Sequence, residues 1–228
     1  MESNNIIMNT AQIPSSIKCA IFDLDGTLIN STGVWHKIDE EFLSRRGISV
    51  PADFTDEIKK HNFDTGAVYT KKRFGLYESI DEIKKEWFDL AIHEYTCNIE
   101  LKKGAAEFLK LIKKNNIKLA LATASDHKLY EKCLKRNGIY DCFDVFTHTT
   151  EVKRGKGYPD IYDMAAMKCG CMPQDCVVFE DILDGVKGAK NGGYYTIAVY
   201  DKASEKNESE IRRISDMYIY NYQDVIVL

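Results

Sequence analysis

The sequence has no surplus of positive charge, no paired cysteine spacing and no long apolar run. Each absence removes a class of protein. Its 31 Lys and Arg are outnumbered by 35 Asp and Glu, for a net charge of −4. A general nucleic-acid binder needs a basic excess, so none is expected here. The basic residues that do cluster, Lys71-Lys72-Arg73 and Lys113-Lys114, read as solvated helix faces. The seven cysteines (19, 97, 133, 142, 169, 171 and 176) are odd in number. Cys169-Gly170-Cys171 with Cys176 lacks a CxxC spacing and a second ligand pair, so neither a disulfide framework nor a zinc knuckle is indicated. Reduced, mostly buried thiols in a cytoplasmic protein are the expectation. No apolar run reaches membrane-spanning length and no charged-then-apolar segment opens the chain, so no membrane association is expected.

What is present is enough for a substantial core. A chain of 228 residues, 44% of them hydrophobic, can build one large α/β domain or a core with a smaller insert. Residues 1–16, MESNNIIMNTAQIPSS, lack periodicity and read as a flexible tail. KCAIFD (18–23) is strand-like. From Val34 to about Ile99 the signals are helical only. Val34, Ile38, Phe42 and Leu43 share one face, and Ser79 with Glu82 forms a capping-box pair ahead of an Ile83, Trp87, Leu90, Ala91 stripe. Trp35 and Trp87 are read as core of this helical segment. Beyond Gly104 buried strands alternate with helices, at 117–123, 143–148, 176–181 and 194–200. The pattern predicts an α/β fold: a Rossmann-like parallel sheet with helices on both faces, formed by 17–30 and 100–228, and an all-α insert at 31–99.

In such sheets ligands sit beyond the carboxyl ends of the strands. Those ends carry Asp23-Leu24-Asp25, Thr123-Ala124-Ser125 and Glu180-Asp181, with Asp184 just after, and the loop following the third strand carries Arg154-Gly155-Lys156. Carboxylates this close repel, and desolvation adds to the cost, unless a cation or a shared proton lies among them. Mg²⁺, which takes oxygen ligands and phosphate oxygens, would neutralise the set together with a phosphate group. Taken singly, each feature also has a plain reading. Asp23 and Asp25 could make a turn with a helix cap, Thr123, Ser125 or Asp126 could cap a helix, Lys156 could be a surface lysine, and Asp184 could cap its own helix.

Four motifs in this order change the balance. DLDGT at 23–27, a strand ending in Thr123, GKxxPDIY at 155–162 and VFED at 178–181 together resemble the haloacid dehalogenase superfamily, in its β-phosphoglucomutase-like subgroup with a helical (C1-type) cap. The resemblance implies that Asp23 is the nucleophile that becomes an aspartyl-phosphate and Asp25 the general acid and base. It implies that Thr123, Ala124 and Ser125 bind the phosphoryl group and Lys156 neutralises charge. Mg²⁺ would be held by Asp23, the Asp25 backbone carbonyl and Asp181, with Glu180 as a ligand or just behind one. A phosphatase acting on a small phosphorylated metabolite is implied, and a monomer is expected. Three features lean away from the alternative, a sugar phosphate mutase: Thr27 where mutases carry a small apolar residue, Trp35 where they carry a histidine (His36 is one further), and no arginine at 60–64. A metal-independent dehalogenase would need neither Asp25 nor Glu180-Asp181, and a catalytically silent binding protein would not need the set intact. Asn30-Ser31, where relatives have Asp-Ser, carries no expected consequence. Gly157-Tyr158, in place of Pro-x, should loosen the lysine loop. His36, Lys37, His61, Asn62, Lys71 and Arg73 are candidates for substrate contact from the helical insert.

Overall fold

Residues 11–58 and 61–227 are described by the computed structural model. The chain divides at Thr32/Gly33 and at Asn98/Ile99 into two compact units.

The unit between those boundaries is helical, with α1 (Val34–Ser44), α2 (Phe54–Ile58), α3 (Phe63–Phe74) and α4 (Ile80–Cys97). Local chemistry sets the ends of these helices. Ser79 Oγ accepts the Glu82 N–H and the Glu82 carboxylate accepts the Ser79 N–H at 2.7 Å, so two orphan donors at the start of α4 are satisfied reciprocally. Gly75 ends α3 in the left-handed region. Trp87 is buried, meeting the rings of Phe42 and Phe63 edge-on. Trp35 departs from the sequence expectation: it is 43% exposed and touches Phe63 edge-on. One residue beyond Val34 is about 100° around the helix, which turns Trp35 off the Val34, Ile38, Phe42 stripe.

Asp39 sits on that buried side of α1, and its carboxyl is pushed up to about 7, by burial, against the opposing pull of His36. The unfolded carboxyl titrates near 4, so between about pH 4 and 7 the folded state keeps a proton the unfolded chain has released. Stability contributed by this group is therefore lost as pH rises through that window. Asp39→Asn never ionises, and at pH 8 it should raise Tm by roughly 2–8 °C. Thermal melts should show that gain vanishing near pH 4; a gain independent of pH would assign the effect to packing.

The other unit holds β1 (Ala11–Ile13), β2 (Cys19–Phe22), β3 (Lys118–Thr123), β4 (Val145–His148), β5 (Cys176–Glu180), β6 (Tyr195–Val199), β7 (Met217–Ile219) and β8 (Val225–Val227). Its helices are α5 (Ala105–Lys114), α6 (His127–Arg136), α7 (Asp160–Cys169), α8 (Leu183–Asn191) and α9 (Glu208–Ile214). The main sheet is parallel throughout, in the order β4-β3-β2-β5-β6-β7. β2 and β5 are buried along their whole length, as expected of central strands covered on both faces. Phe22 stacks on Phe179 with ring centroids 4.4 Å apart, and Phe108 and Tyr222 complete that aromatic cluster.

The segment read as a flexible tail is corrected in part. Ala11–Ile13 pairs in parallel with Val225–Val227, and Ile13 is buried. Three residues are too few to show a period, and the partner strand lies at the far end of the sequence, so nothing local announced the pairing. Residues 1–10 lie outside the described residues. Among the described residues no helix is long and apolar enough to cross a membrane.

Candidate active site

β2 is flanked by β3 on one side and β5 on the other. The connections leaving β2 (to β3) and β5 (to β6) run in opposite directions, and a crevice opens at the carboxyl ends of these strands. Phe22 is in register with Leu121 and with Phe179, so the three ends lie level. Asp23 follows Phe22, Thr123 ends β3, and Glu180 ends β5 with Asp181 next.

Around Asp23 the groups are buried and interlocked. Lys156 Nζ donates to Asp23 Oδ1, and also to Glu180 Oε1 at 2.6 Å. Glu180 Oε1 accepts a second bond, from the Tyr162 hydroxyl at 2.9 Å, while Oε2 takes the Asp181 N–H. The Thr27 hydroxyl lies 3.1 Å from Asp23 Oδ2 and 2.8 Å from Asp181 Oδ1. With one hydrogen it can serve one of these carboxylates at a time. Burial raises the Asp23 carboxyl to about 6, with Lys156 pulling the other way. Burial, then the neighbouring Asp23 and Glu180, hold Asp181 well above the usual carboxylate range. Burial would lower the Lys156 ammonium, but Asp23 and Glu180 outweigh it and raise it.

Three carboxylates thus face one ammonium. Asp181 Oδ2 is buried without a hydrogen-bond partner, and Asp23, Glu180 and Asp181 each bring one oxygen within 4.8 Å of the others. An all-oxygen donor set with an orphaned carboxylate oxygen fits a hard divalent cation. The cysteines behave differently: all seven are free, and among the described residues they form no comparable group.

Asp25 is half-buried and stands apart from this cluster. Ser31 Oγ donates to its Oδ1 at 2.6 Å, and Ser125 Oγ donates to Oδ2. Ser125 was placed by the sequence with the phosphoryl group, and in the structure its hydroxyl is directed to Asp25. Its N–H is bonded to Thr123 Oγ1 at 3.0 Å, while Ala124 is exposed and Asp126 is the residue that caps α6. Ser31, given no role from the sequence, turns out to fix the second acid.

Glycines close the arrangement where backbone must approach side chains. Gly26 has φ +86°, and a Cβ there would lie 2.3 Å from Asp181 Oδ2. On α8, a Cβ on Gly185 would lie 2.3 Å from the Glu180 carboxyl carbon, and one on Gly188 would lie 2.0 Å from the Lys156 carbonyl oxygen. These two contacts were not legible from the sequence, though a small-residue pair three apart on a helix beside the acids was a signal. Arg154 is held by Asp160 at 2.6 Å and lies over the Tyr158 ring. Asp184 is exposed in the first turn of α8, whose N-cap is Ile182, and does not join the acidic cluster.

In the helical unit the candidate contacts are engaged with their own neighbours. Asn62 caps α3, Arg73 pairs with Asp53 at 2.8 Å, and Lys71 donates to the Leu76 carbonyl. His61 stacks on Tyr69, His36 lies 3.3 Å from Glu40, and Lys37 lies 4.0 Å from Glu94.

A buried carboxylate at the switch point, a lysine bridging it to a second strand end and an acidic set fit for a cation define a hydrolase class that sequence comparison places independently. The family model for haloacid dehalogenase-like hydrolases matches residues 17–193, and the chain belongs to that family. Among curated proteins it is similar to a phosphorylated carbohydrates phosphatase of Thermotoga maritima, 27% identical over 177 residues, spanning 78% of this chain and 82% of that one. It is also similar to the β-phosphoglucomutase of Bacillus subtilis, 28% identical over 193 residues, spanning 80% and 83% of the two chains. A solved Thermotoga maritima structure, provisionally assigned as a β-phosphoglucomutase, shares the fold with a TM-score of 0.81 at 24% identity, over 91% of this chain and 96% of that one.

Proposed function

We propose that this protein is a Mg²⁺-dependent phosphatase that hydrolyses a small phosphomonoester through an aspartyl-phosphate on Asp23. One observation carries the reading. Asp23 is buried with Oδ1 against Lys156 and Oδ2 against Thr27, while a second carboxyl, Asp25, is oriented by two serine hydroxyls. One carboxylate is thus kept for attack and the other for proton transfer, in environments different enough to separate their roles.

Asp23 attacks phosphorus and the P–O bond to the leaving alcohol breaks, with Asp25 giving its proton to the departing oxygen. Asp25 then takes a proton from water, whose oxygen attacks phosphorus and frees Asp23 and inorganic phosphate. Lys156 offsets the charge of Asp23 and of the phosphoryl oxygens, and the Thr123 hydroxyl with the backbone of Ala124 and Ser125 binds those oxygens, the Ser125 N–H exchanging Thr123 Oγ1 for phosphate. Asp23, Asp181 and the Asp25 carbonyl would hold Mg²⁺, with Glu180 beside them; the ion supplies charge neutralisation for phosphate. The Gly33–Asn98 unit would act as the cap, and seven free cysteines suit a cytoplasmic setting.

Incubation with a panel of sugar phosphates and other small phosphomonoesters in Mg²⁺ should release inorganic phosphate, and excess EDTA should abolish the release. Glucose 6-phosphate accumulating from β-glucose 1-phosphate without phosphate release would establish the mutase instead. Full dehalogenation of a haloacid in EDTA would remove the metal from the scheme.

A further inference from the structure

We propose that Tyr162 is a positioning residue for Lys156, acting through Glu180; the inference rests on the phosphatase reading above. Tyr162 is fully buried in the first turns of α7, directly after the lysine loop. A phenylalanine would fill the same space. A buried hydroxyl costs free energy unless it is bonded, and among the described residues this one is bonded to a single place, Glu180 Oε1 at 2.9 Å. That same oxygen accepts Lys156 Nζ at 2.6 Å, and Lys156 also reaches Asp23 Oδ1.

The three contacts form one chain from Tyr162 through Glu180 and Lys156 to Asp23. An ammonium between two carboxylates divides its hydrogen bonds according to how strongly each oxygen draws it. The Tyr162 hydroxyl is a neutral donor that occupies part of the accepting capacity of Glu180 Oε1. It thereby weakens the hold of Glu180 on Lys156 and leaves the ammonium toward Asp23, where charge moves during phosphoryl transfer. Packing fixes the donor: the Tyr162 ring meets the Tyr194 ring edge-on at 6.1 Å, a contact that a phenylalanine at 194 keeps. Gly185 lets α8 close over the far side of the Glu180 carboxyl, so the carboxylate cannot turn away to compensate.

Tyr162→Phe isolates the hydroxyl, and Tyr194→Phe is the matched control, removing a buried tyrosine hydroxyl from the neighbouring ring. In Tyr162→Phe, kcat for phosphate release should fall about tenfold with KM within about twofold of wild type. Tyr194→Phe should lower Tm and leave kcat unchanged. A crystal structure of Tyr162→Phe should show Lys156 Nζ closer to Glu180 and farther from Asp23 than in the wild-type crystal. Wild-type kcat in Tyr162→Phe, equal kcat losses in the two variants, or an unmoved Lys156 would each overturn the proposal. If wild type released no phosphate from any ester, the phosphatase reading would fail, and the position of Lys156 in the variant crystal would still decide the Tyr162 assignment.

Discussion

Asp23→Asn is expected to lower phosphate release about 10⁴-fold or more. The amide keeps the size of the side chain and its place at the end of β2, so the loss measures the anionic oxygen and not a cavity. Binding should survive better than turnover, because Thr123, Lys156 and the backbone that would hold phosphoryl oxygens are untouched. Folding should survive as well. In the metal-free protein the Asp23 carboxyl is raised to about 6, burial being the largest cause, so above that pH the folded protein carries the buried charge at a cost in stability and a neutral amide is no worse. Phosphate release by Asp23→Asn within tenfold of wild type, in protein shown to be folded by its melt, would remove Asp23 from the chemistry.

Gly188→Ala should lower turnover from a residue that touches no reacting atom. A Cβ at this position would lie 2.0 Å from the Lys156 carbonyl oxygen and 2.8 Å from that of Tyr158, both backbone atoms with little room to yield. Either α8 or the loop bearing Lys156 must move. Overpacking of this kind costs about 1–3 kcal/mol. Displacing the charge that offsets Asp23 should lower kcat by about 100-fold, the scale of losing one preorganised electrostatic partner. Gly157→Ala provides the comparison: it lies in the same loop, and a Cβ there would meet nothing within 4 Å. Steady-state kinetics of the two variants, below the melting range of both, should separate them by well over tenfold. Equal kcat values would mean that the loop absorbs the methyl group without moving Lys156.

The parts of the site that were legible from the sequence are those written as strand ends. Asp23, Thr123, Glu180 and Asp181 each close an apolar run, and the order of those runs implied one edge. Lys156 was found through its motif, and no periodicity would have singled it out. What escaped were relations between residues distant in sequence and ordinary in type. Ser31, after β2, and Ser125, after β3, reach the same carboxyl, and each reads locally as a loop serine. Tyr162 closed the GKxxPDIY motif without a role of its own, because its partner lies on another element. Trp35 was misjudged because a large aromatic residue was assumed to be core, although the stripe beside it already placed it off the buried face. β1 and β8 failed for length: neither can be told from coil until the other is beside it.

The Tyr222 hydroxyl donates to the Thr27 carbonyl at 3.1 Å, across 195 positions of sequence. That bond has a consequence for the order in which the protein can be made. The acid-bearing turn leaves the ribosome early, yet the Thr27 carbonyl lacks this donor until Tyr222 has been synthesised and has docked. A nascent chain held just short of Tyr222 can carry both aspartates and still lack the contact that seats the backbone beside them. This contact therefore forms late in translation, one of the long-range closures of the kind that make non-local topologies slow to complete.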